Sequence, residues 1–476
     1  MMSFGDVAAE DDAVLDYFVA TNAVDRIKKG ETFLVLGRKG TGKTAIVRYF
    51  TERDRAGDAK SLSLKGYPWN IHAARIDRGA SDVEAYVSSW KYLIAVELAS
   101  LALLQRGAYL TGAAQQINNF LMDNYGGPSP SLADILTPPR LRLSKLSFMP
   151  ALFGNQLGGI ELDRSPGDMN FGRELDALSD SIIAAVHECL RECRAAPLSL
   201  HFDELDQGVT TLNDQRKTML IGLILAARSL RHQSNLAGVA VNPVVYLRTD
   251  IWDDLQFSDK NKISQTLTLK LEWTPQTLQE MVRTRVKAKL GDHADWDTIT
   301  EPELMRGTQS KWSHLVARTF LRPRDVISFL NTVLNSAKKR DPDVAMINNR
   351  DIVNSRSAYS NYLKDELDDE IVPHWQYWPE ALQACSAIGN LTFGKDDFER
   401  EYMMRRSSKN TISTDEALAL LYRFSIVGYR GGIGYGGSSW VFQYAEPASG
   451  WDSVARNFKV HLGLKEYAKL REERRT

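Results

Sequence analysis

The sequence has few cysteines, no export signal and no excess of positive charge. Three cysteines among 476 residues are too few for a disulfide framework, and an odd number fits a reducing compartment. The first residues turn acidic without a basic start or an apolar run, so no secretory signal is predicted. We therefore expect a cytoplasmic protein.

The charge balance and the apolar segments exclude two further classes. Lys plus Arg number 59 against 60 Asp plus Glu, so an overall field that attracts nucleic acid is excluded and any such contact would be a local patch. The most apolar stretch, residues 87–104, contains Lys91 and Glu97. A charge near the centre of a membrane span costs about 2.5–3.5 kcal/mol. This stretch is therefore predicted to be a buried helix, and no membrane partner is expected.

What is present is the composition of a folded protein, with 43% hydrophobic and 25% charged residues. Residues 32–36 form an apolar, β-branched run without alternation, which predicts a strand buried on both faces of a parallel sheet. Runs at 198–202 and 243–250 predict two further core strands. Residues 124–170, rich in Gly and Pro, include an alternating stretch that predicts an inserted β-hairpin.

A glycine-rich loop lies between the first predicted strand and a predicted helix. Its eight residues match the phosphate-loop pattern G-x-x-x-x-G-K-[ST] in full: Gly37, Arg38, Lys39, Gly40, Thr41, Gly42, Lys43 and Thr44. Glycines let backbone N–H groups turn towards phosphates, and the helix N-terminus adds the positive end of its dipole. Lys43 is predicted to reach the β and γ phosphates of ATP, and the Thr44 hydroxyl to bind Mg²⁺.

Two adjacent carboxylates follow the second predicted core strand. A phosphate loop needs an acidic partner for the metal at the end of a buried strand beside its own, and Asp203 is predicted to fill that role. Glu204 comes next, and in an enzyme that hydrolyses ATP such a glutamate acts as the general base for the attacking water. The alternative is a pair of solvated carboxylates.

Several arginines are candidates for contacts with the γ-phosphate. Arg248 ends the third core strand, where the alternative is an ordinary outward-facing residue. Arg324, with Arg322 as the second choice, opens an amphipathic helix, where a cation opposes the dipole and suggests an anion partner; the alternative is a plain surface position. Arg228 and Arg231 are candidates for an arginine finger that reaches a neighbour's ATP, or they merely complement a helix C-terminus.

Other residues that could carry chemistry are interpreted as packing. His187, Cys189, Cys193 and His201 have poor spacing for a metal site. The tryptophans are expected in the core or between domains rather than as a stacking platform, in particular Trp69, Trp90 and Trp273.

In this order the motifs resemble those of AAA+ and STAND ATPases of the origin-recognition type. The phosphate loop and residues 247–252 look most similar to bacterial P-loop ATPases of that kind, and the resemblance spans about residues 14–470. It implies an α/β fold: an αβα P-loop ATPase sandwich with a helical lid and a C-terminal winged-helix-like domain. It also implies ATP and Mg²⁺ as cofactors and hydrolysis of ATP to ADP and phosphate.

The expected domains follow from the motifs and the resemblance. We expect an N-terminal helical segment at 1–30, the ATPase core at 31–272, the lid at 273–372 and the winged-helix-like domain at 373–476. More residues separate Thr44 from Asp203 than a minimal core needs. A region inserted at about 106–196 is therefore expected to carry the specialised function.

Three functions remain open. The first is an ATP-driven switch that forms homo-oligomers and controls a separate effector protein; the resemblance suggests bacterial anti-phage defence, and no nuclease or protease signature accompanies the ATPase. The second is a nucleic-acid loader or remodeller that uses the C-terminal domain, and the third is a scaffold that binds nucleotide without turnover. The predicted recognition helix, residues 413–424, begins with acidic residues, which disfavour phosphate contacts, so protein contact is preferred over DNA or RNA.

Overall fold

The computed structural model describes residues 3–53, 57–65, 67, 82–136, 141–142, 161–162, 171–205, 213–433 and 437–472. The chain forms two units. The sheet unit comprises Ala20–Arg38 and Lys43–Leu271. The C-terminal unit comprises Met1–Val19, Lys39–Gly42 and Glu272–Thr476. The segment expected at 1–30 is thus divided between the units, and further along the chain their boundary falls between Leu271 and Glu272.

The strands and helices of the described residues are numbered in chain order. The strands are β1 (Leu34–Leu36), β2 (Ala59–Ser63), β3 (Leu141–Arg142), β4 (Glu161–Leu162), β5 (Leu198–Asp203), β6 (Val241–Leu247), β7 (Thr268–Lys270), β8 (Thr392–Gly394), β9 (Val427–Ile433), β10 (Gly437–Val441) and β11 (Asn457–Val460). The helices of the sheet unit are α1 (Asn22–Lys28), α2 (Lys43–Glu52), α3 (Asp82–Leu103), α4 (Gly112–Tyr125), α5 (Leu132–Leu136), α6 (Phe171–Glu192), α7 (Asp214–Leu236), α8 (Thr249–Asp254) and α9 (Lys260–Thr266). Those of the C-terminal unit are α10 (Pro275–Leu290), α11 (Lys311–Val316), α12 (Pro323–Arg340), α13 (Asn349–Ile371), α14 (Trp378–Ile388), α15 (Lys395–Arg405) and α16 (Thr414–Arg423).

A five-stranded parallel sheet forms the centre of the sheet unit, in the order β2-β5-β6-β1-β7. All three residues of β1 are buried, as its unbroken apolar run predicts for a strand covered on both faces. One expectation was wrong. The strand that ends in Asp203 does not lie beside β1, because β6 pairs with β1 on one side and with β5 on the other.

Helices α3, α6 and α7 pack closely in the sheet unit. The indole N–H of Trp90 on α3 donates to the Met219 carbonyl of α7 at 2.9 Å. Ile183 and Val186 on α6 are buried in the same hydrophobic core as the sheet strands. The last part of the region expected as an insertion therefore belongs to the core, since α6 contributes its apolar face to it.

The predicted hairpin is described only where two short strands meet. Strand β3 pairs antiparallel with β4, and Leu141 lies opposite Leu162. Residues 137–140 and 143–160 lie outside the described residues, and so does Trp69.

The N-terminal helical segment expected within residues 1–30 is interrupted. Val14–Tyr17 is a single 3₁₀ turn, Phe18 is extended, and α1 begins at Asn22. The 3₁₀ turn belongs to the C-terminal unit, where the guanidinium of Arg285 on α10 donates to Asp12 at 3.0 Å and lies 4.3 Å from the Tyr17 ring centre. These contacts hold the residues before Phe18 away from a continuous helix.

From Glu272 onward the C-terminal unit starts with the four helices α10 to α13, of which α12 and α13 pack through Phe329 and Tyr359, stacked at 4.1 Å. It continues as α14, β8, α15, α16 and the strands β9 to β11, whose antiparallel sheet has the order β10-β9-β11-β8. This helix and sheet order is winged-helix-like. The predicted fold class is therefore confirmed: an α/β parallel sheet, a helical segment and a winged-helix-like C-terminal part.

None of the helices in the described ranges is both long enough and apolar enough to cross a membrane. The most apolar of them, α3, is buried in the core of the sheet unit.

The close approach of α7 to α3 depends on Gly222. A Cβ added there would lie 2.6 Å from the Tyr86 Cβ. We expect Gly222→Ala to lower the free energy of unfolding of the sheet unit by about 1–3 kcal/mol through overpacking, although alanine favours helix more than glycine does. Calorimetric melting would measure the loss. Gly112→Ala at the start of α4, where nothing lies within 4 Å, is the matched control, and an equal loss in both would contradict the packing argument.

Candidate nucleotide-binding site

The phosphate loop follows β1 directly and ends where α2 begins, at Lys43. Gly40 and Gly42 have φ values of +80° and +98°, which favour glycine over any residue with a Cβ. The Gly37 N–H donates to the Leu247 carbonyl at 3.2 Å, so the loop starts beside the last residue of β6. The loop therefore lies at the carboxyl edge of the sheet, where ligands bind in open α/β folds.

The ammonium group of Lys43 is held at the start of the loop. It donates to the carbonyl oxygens of Gly37, at 2.9 Å, and Arg38, at 3.1 Å. Both acceptors are neutral carbonyls, which a phosphate oxygen can replace with a stronger, charge-assisted hydrogen bond.

Asp203 and Thr44 meet across β6. Asp203 is the last residue of β5 and is 4% exposed. Burial raises the pKa of its carboxyl group, whereas hydrogen bonds from the Glu204 backbone and the Thr44 hydroxyl, and the charge of Lys43, act to lower it. A hydroxyl and a carboxylate oxygen at one point are the hard ligands that Mg²⁺ takes, so these two residues fit that ion.

Glu204 turns away from Asp203 through an unusual backbone conformation. Its φ is +59°, a left-handed value that a residue with a Cβ rarely adopts. Its carboxylate accepts a hydrogen bond from the Ser63 hydroxyl, at the end of β2, where Ser63 lies opposite Asp203 in the β2–β5 register. Backbone strain of this kind concentrates at functional sites. The sequence analysis did not predict a role for Ser63. The one feature that could have indicated it is its place at the end of a short, mostly polar strand.

Arg248 lies beside the loop but is engaged elsewhere. It follows the last residue of β6 and forms a two-pronged ion pair with Asp250, with distances of 3.0 and 2.6 Å. With 7% of its surface exposed, Arg248 does not fit the outward-facing alternative, and its contact with the γ-phosphate stays a prediction.

The two arginines at the start of α12 have carboxylate partners within the C-terminal unit. Arg322 is 1% exposed and pairs with Asp325, at 2.9 Å, and with Glu370. Arg324 pairs with Glu366 at 3.3 Å. The anion partners expected from the helix dipole thus exist in the protein itself, and Arg322 does not occupy the surface position that was the alternative.

The finger candidates lie on α7 in the sheet unit. Arg228 pairs with Asp259 at 2.8 Å. Arg231 donates to the Gly30 carbonyl and lines a cavity together with Leu198 and Val241, the first residues of β5 and β6. Arg231 is therefore at the amino edge of the sheet, opposite the loop of its own chain.

The histidines and cysteines expected to pack are buried or hydrogen-bonded. His187 bonds Ser234 at 2.9 Å, Cys189 accepts from Thr111, and burial lowers the pKa of His201 to about 3. Within the described part of the chain no group of three or more His, Cys, Asp or Glu side chains could hold a metal.

Comparisons with known proteins give one match to the helices that follow the sheet unit and others that extend over most of the chain. Residues 276–368, about a fifth of the chain, match the model of a FunZ-associated C-terminal helical domain, which spans α10 to most of α13. No curated protein matches the sequence.

Two solved structures resemble it at 13% identity. The Orc1 protein of Aeropyrum pernix in complex with DNA has a TM-score of 0.38 over 94% of this chain and 91% of its own. Cdc6p of Pyrobaculum aerophilum has 0.28 over 92% and 85%. At these scores the fold assignment rests on the sheet order and the core described above.

The contact between Ser63 and Glu204 predicts a positioning effect. Ser63→Ala removes the hydrogen bond that orients the carboxylate, so we expect ATP turnover to fall about tenfold, less than the loss of the carboxylate itself would cost. The dissociation constant of Mg-ATP should stay within about twofold, because the Ser63 hydroxyl donates to the Glu204 carboxylate, which is not among the residues expected to bind the nucleotide. Ser61→Ala, exposed on the same strand, is the control. Equal turnover in both variants would remove Ser63 from the site.

Proposed function

We propose that the protein binds Mg-ATP through the phosphate loop and hydrolyses it as a P-loop ATPase of the AAA+ and STAND type. The observation that carries the proposal is the hydrogen bond between Thr44 and the buried Asp203 beside Lys43. It joins a loop hydroxyl, a loop lysine and a strand-end carboxylate, which are the three side chains that this kind of site requires.

In this proposal, separate residues bind the phosphates, hold the metal and activate the water. The loop backbone and Lys43 bind the phosphates, and Thr44 with Asp203 would hold Mg²⁺, which when bound neutralises phosphate charge. Glu204 accepts the proton of the attacking water as the general base. Because its carboxylate is directed to Ser63 and that of Asp203 to Thr44, the two adjacent acids can act separately.

We further propose that ATP controls assembly and, through it, a separate effector protein. The position of Arg231, at the amino edge of the sheet, fits a residue that acts on a neighbouring subunit rather than on its own loop. Arg228 is the second candidate for that role, and anti-phage defence is the biological setting that we propose from the resemblance.

Nucleic acid is not the preferred partner. Helix α16, the predicted recognition helix, has Asp415 and Glu416 in its first turn, and Asp415 forms an ion pair with Lys395. Negative charge at that end repels a phosphate backbone. Binding to duplex DNA that weakens steeply with salt would reverse this preference.

The first test is the loss of nucleotide binding in Lys43→Ala. We expect ATP affinity to fall by at least about tenfold, since a charge-assisted hydrogen bond is worth roughly 1.5–3 kcal/mol. Isothermal titration calorimetry measures it, and circular dichroism checks the fold. Lys287→Ala, exposed on α10, should bind ATP as the parent does. Unchanged affinity in folded Lys43→Ala would rule out the site.

The second test separates the two acids. Glu204→Gln keeps the shape but loses the basic oxygen, so we expect it to retain Mg-ATP and lose about 10²–10⁴ in turnover. Asp203→Asn should instead weaken the Mg²⁺ requirement and the nucleotide affinity together. If ATP drives assembly, Glu204→Gln should accumulate as an ATP-bound oligomer in light scattering. Turnover at the parental rate would exclude Glu204 as the base, and an inactive variant that stays monomeric would exclude the switch.

A further inference from the structure

Three successive carbonyl groups of the phosphate loop accept hydrogen bonds from outside the loop. Residues Lys39–Gly42 belong to the C-terminal unit, and all three donors lie in that unit. The Lys39 carbonyl accepts from Arg322 at 3.2 Å, that of Gly40 from the Arg324 backbone at 3.3 Å, and that of Thr41 from the Trp273 indole at 3.0 Å. We call these three contacts the carbonyl clamp.

The backbone donor exists because of the way α12 begins. The first N–H groups of a helix have no partner within it, and a side-chain acceptor usually serves them. Here the N-cap residue is Arg322, whose side chain has no hydrogen-bond acceptor, and Pro323 has no N–H. The Arg324 N–H therefore needs an acceptor from elsewhere, and the Gly40 carbonyl supplies it.

The guanidinium donor is fixed in place. Arg322 is 1% exposed and lies between Asp325 and Glu370, both of which it contacts. The fork of a guanidinium carries five N–H groups, so it can serve two carboxylates and still donate to the Lys39 carbonyl. The Lys39 side chain adds ion pairs of its own, at 2.5 Å to Asp369 and 3.4 Å to Glu366.

Gly40 allows the loop to approach α12 this closely. A Cβ at this position would lie 2.7 Å from the Cβ of Arg324, which is closer than packed side-chain atoms come. At Gly42 a Cβ would meet nothing within 4 Å. Both glycines thus have a positive φ, but only at Gly40 does the absence of a Cβ also leave room for α12.

Because peptide groups are planar, the contacts that hold the loop carbonyls also set the direction of the loop N–H groups. In a planar trans peptide the C=O of one residue and the N–H of the next point in opposite directions. Fixing the carbonyls of Lys39, Gly40 and Thr41 therefore fixes the N–H groups of Gly40, Thr41 and Gly42 on the other side of the loop. Those backbone N–H groups are the ones that a phosphate loop turns towards its ligand.

We propose that the carbonyl clamp presets the phosphate loop for the phosphates of a nucleotide, with Trp273 and Arg322 as positioning residues that never touch the ligand. This inference rests on the proposed function, because it concerns the affinity of the same loop. A loop whose peptide planes are already fixed loses less conformational entropy when the ligand binds, so its affinity is higher.

Trp273→Phe tests the clamp because it removes one donor and keeps an aromatic ring at a half-buried position. We expect the dissociation constants of ATP and ADP to rise together, about fivefold, as the loss of one neutral hydrogen bond predicts. The matched control is Trp312→Phe. The indole of Trp312 also donates to a carbonyl of this unit, that of Pro275 at 3.1 Å, which lies outside the loop.

The outcomes separate a positioning role from a structural one. A structural role would lower the melting temperature of both variants alike and leave nucleotide affinity unchanged, whereas the clamp requires weaker binding in Trp273→Phe alone. Arg322→Lys is the second variant: lysine keeps a cation beside the two carboxylates but lacks the fork, and the same weakening is expected.

Failure of the clamp can be distinguished from failure of the proposed function. If the parent binds ATP, Lys43→Ala does not, and folded Trp273→Phe and Arg322→Lys bind as the parent does, the clamp is wrong and the ATP site stands. If the parent shows no ATP binding by calorimetry, the proposed function falls, and the clamp with it.

Discussion

The burial of the Asp203 carboxylate is the constraint that orders the rest of the candidate site. A carboxylate removed from water is costly unless hydrogen bonds and opposite charge compensate it. Here the compensation comes from the Thr44 hydroxyl, the Lys43 charge and the Glu204 backbone N–H. Because β6 lies between β1 and β5, the first turn of α2 has to reach across one strand to meet Asp203. The loop and the strand end therefore hold each other in place.

The left-handed residue after β5 solves a second problem, that of giving two neighbouring acids different surroundings. In a continued strand, Asp203 and Glu204 would point to opposite faces of the sheet. With φ at +59°, the chain turns at Glu204, and its carboxylate reaches Ser63 at the edge of the sheet instead. The strain of this conformation costs of order 1–3 kcal/mol and persists only where surrounding contacts enforce it. The strained conformation thus gives the two neighbouring carboxylates different surroundings.

The sequence predicted those parts of the fold that local patterns encode. Runs rich in apolar residues marked β1, β5 and β6, and the glycine spacing marked the loop, because burial on two faces and positive φ values leave local traces. It could not predict that β6 separates the other two strands, since strand order depends on contacts between distant segments. Ser63 was missed for the same reason: it is 141 positions from Glu204, on a strand with a single buried residue.

The partners of the arginines at the start of α12 could be predicted from the sequence only in part. The unfavourable dipole predicted an anion partner. One partner, Asp325, lies three residues after Arg322, yet only the tertiary structure identifies the other two as Glu366 and Glu370, more than forty residues away. Withdrawing Arg322 would leave two buried carboxylates without a cation, a loss of about 3–5 kcal/mol for a broken buried pair. Arg324 has 20% of its side chain exposed and a single carboxylate at 3.3 Å, so its ion pair is the one of the two that solvent screens, and breaking it costs far less.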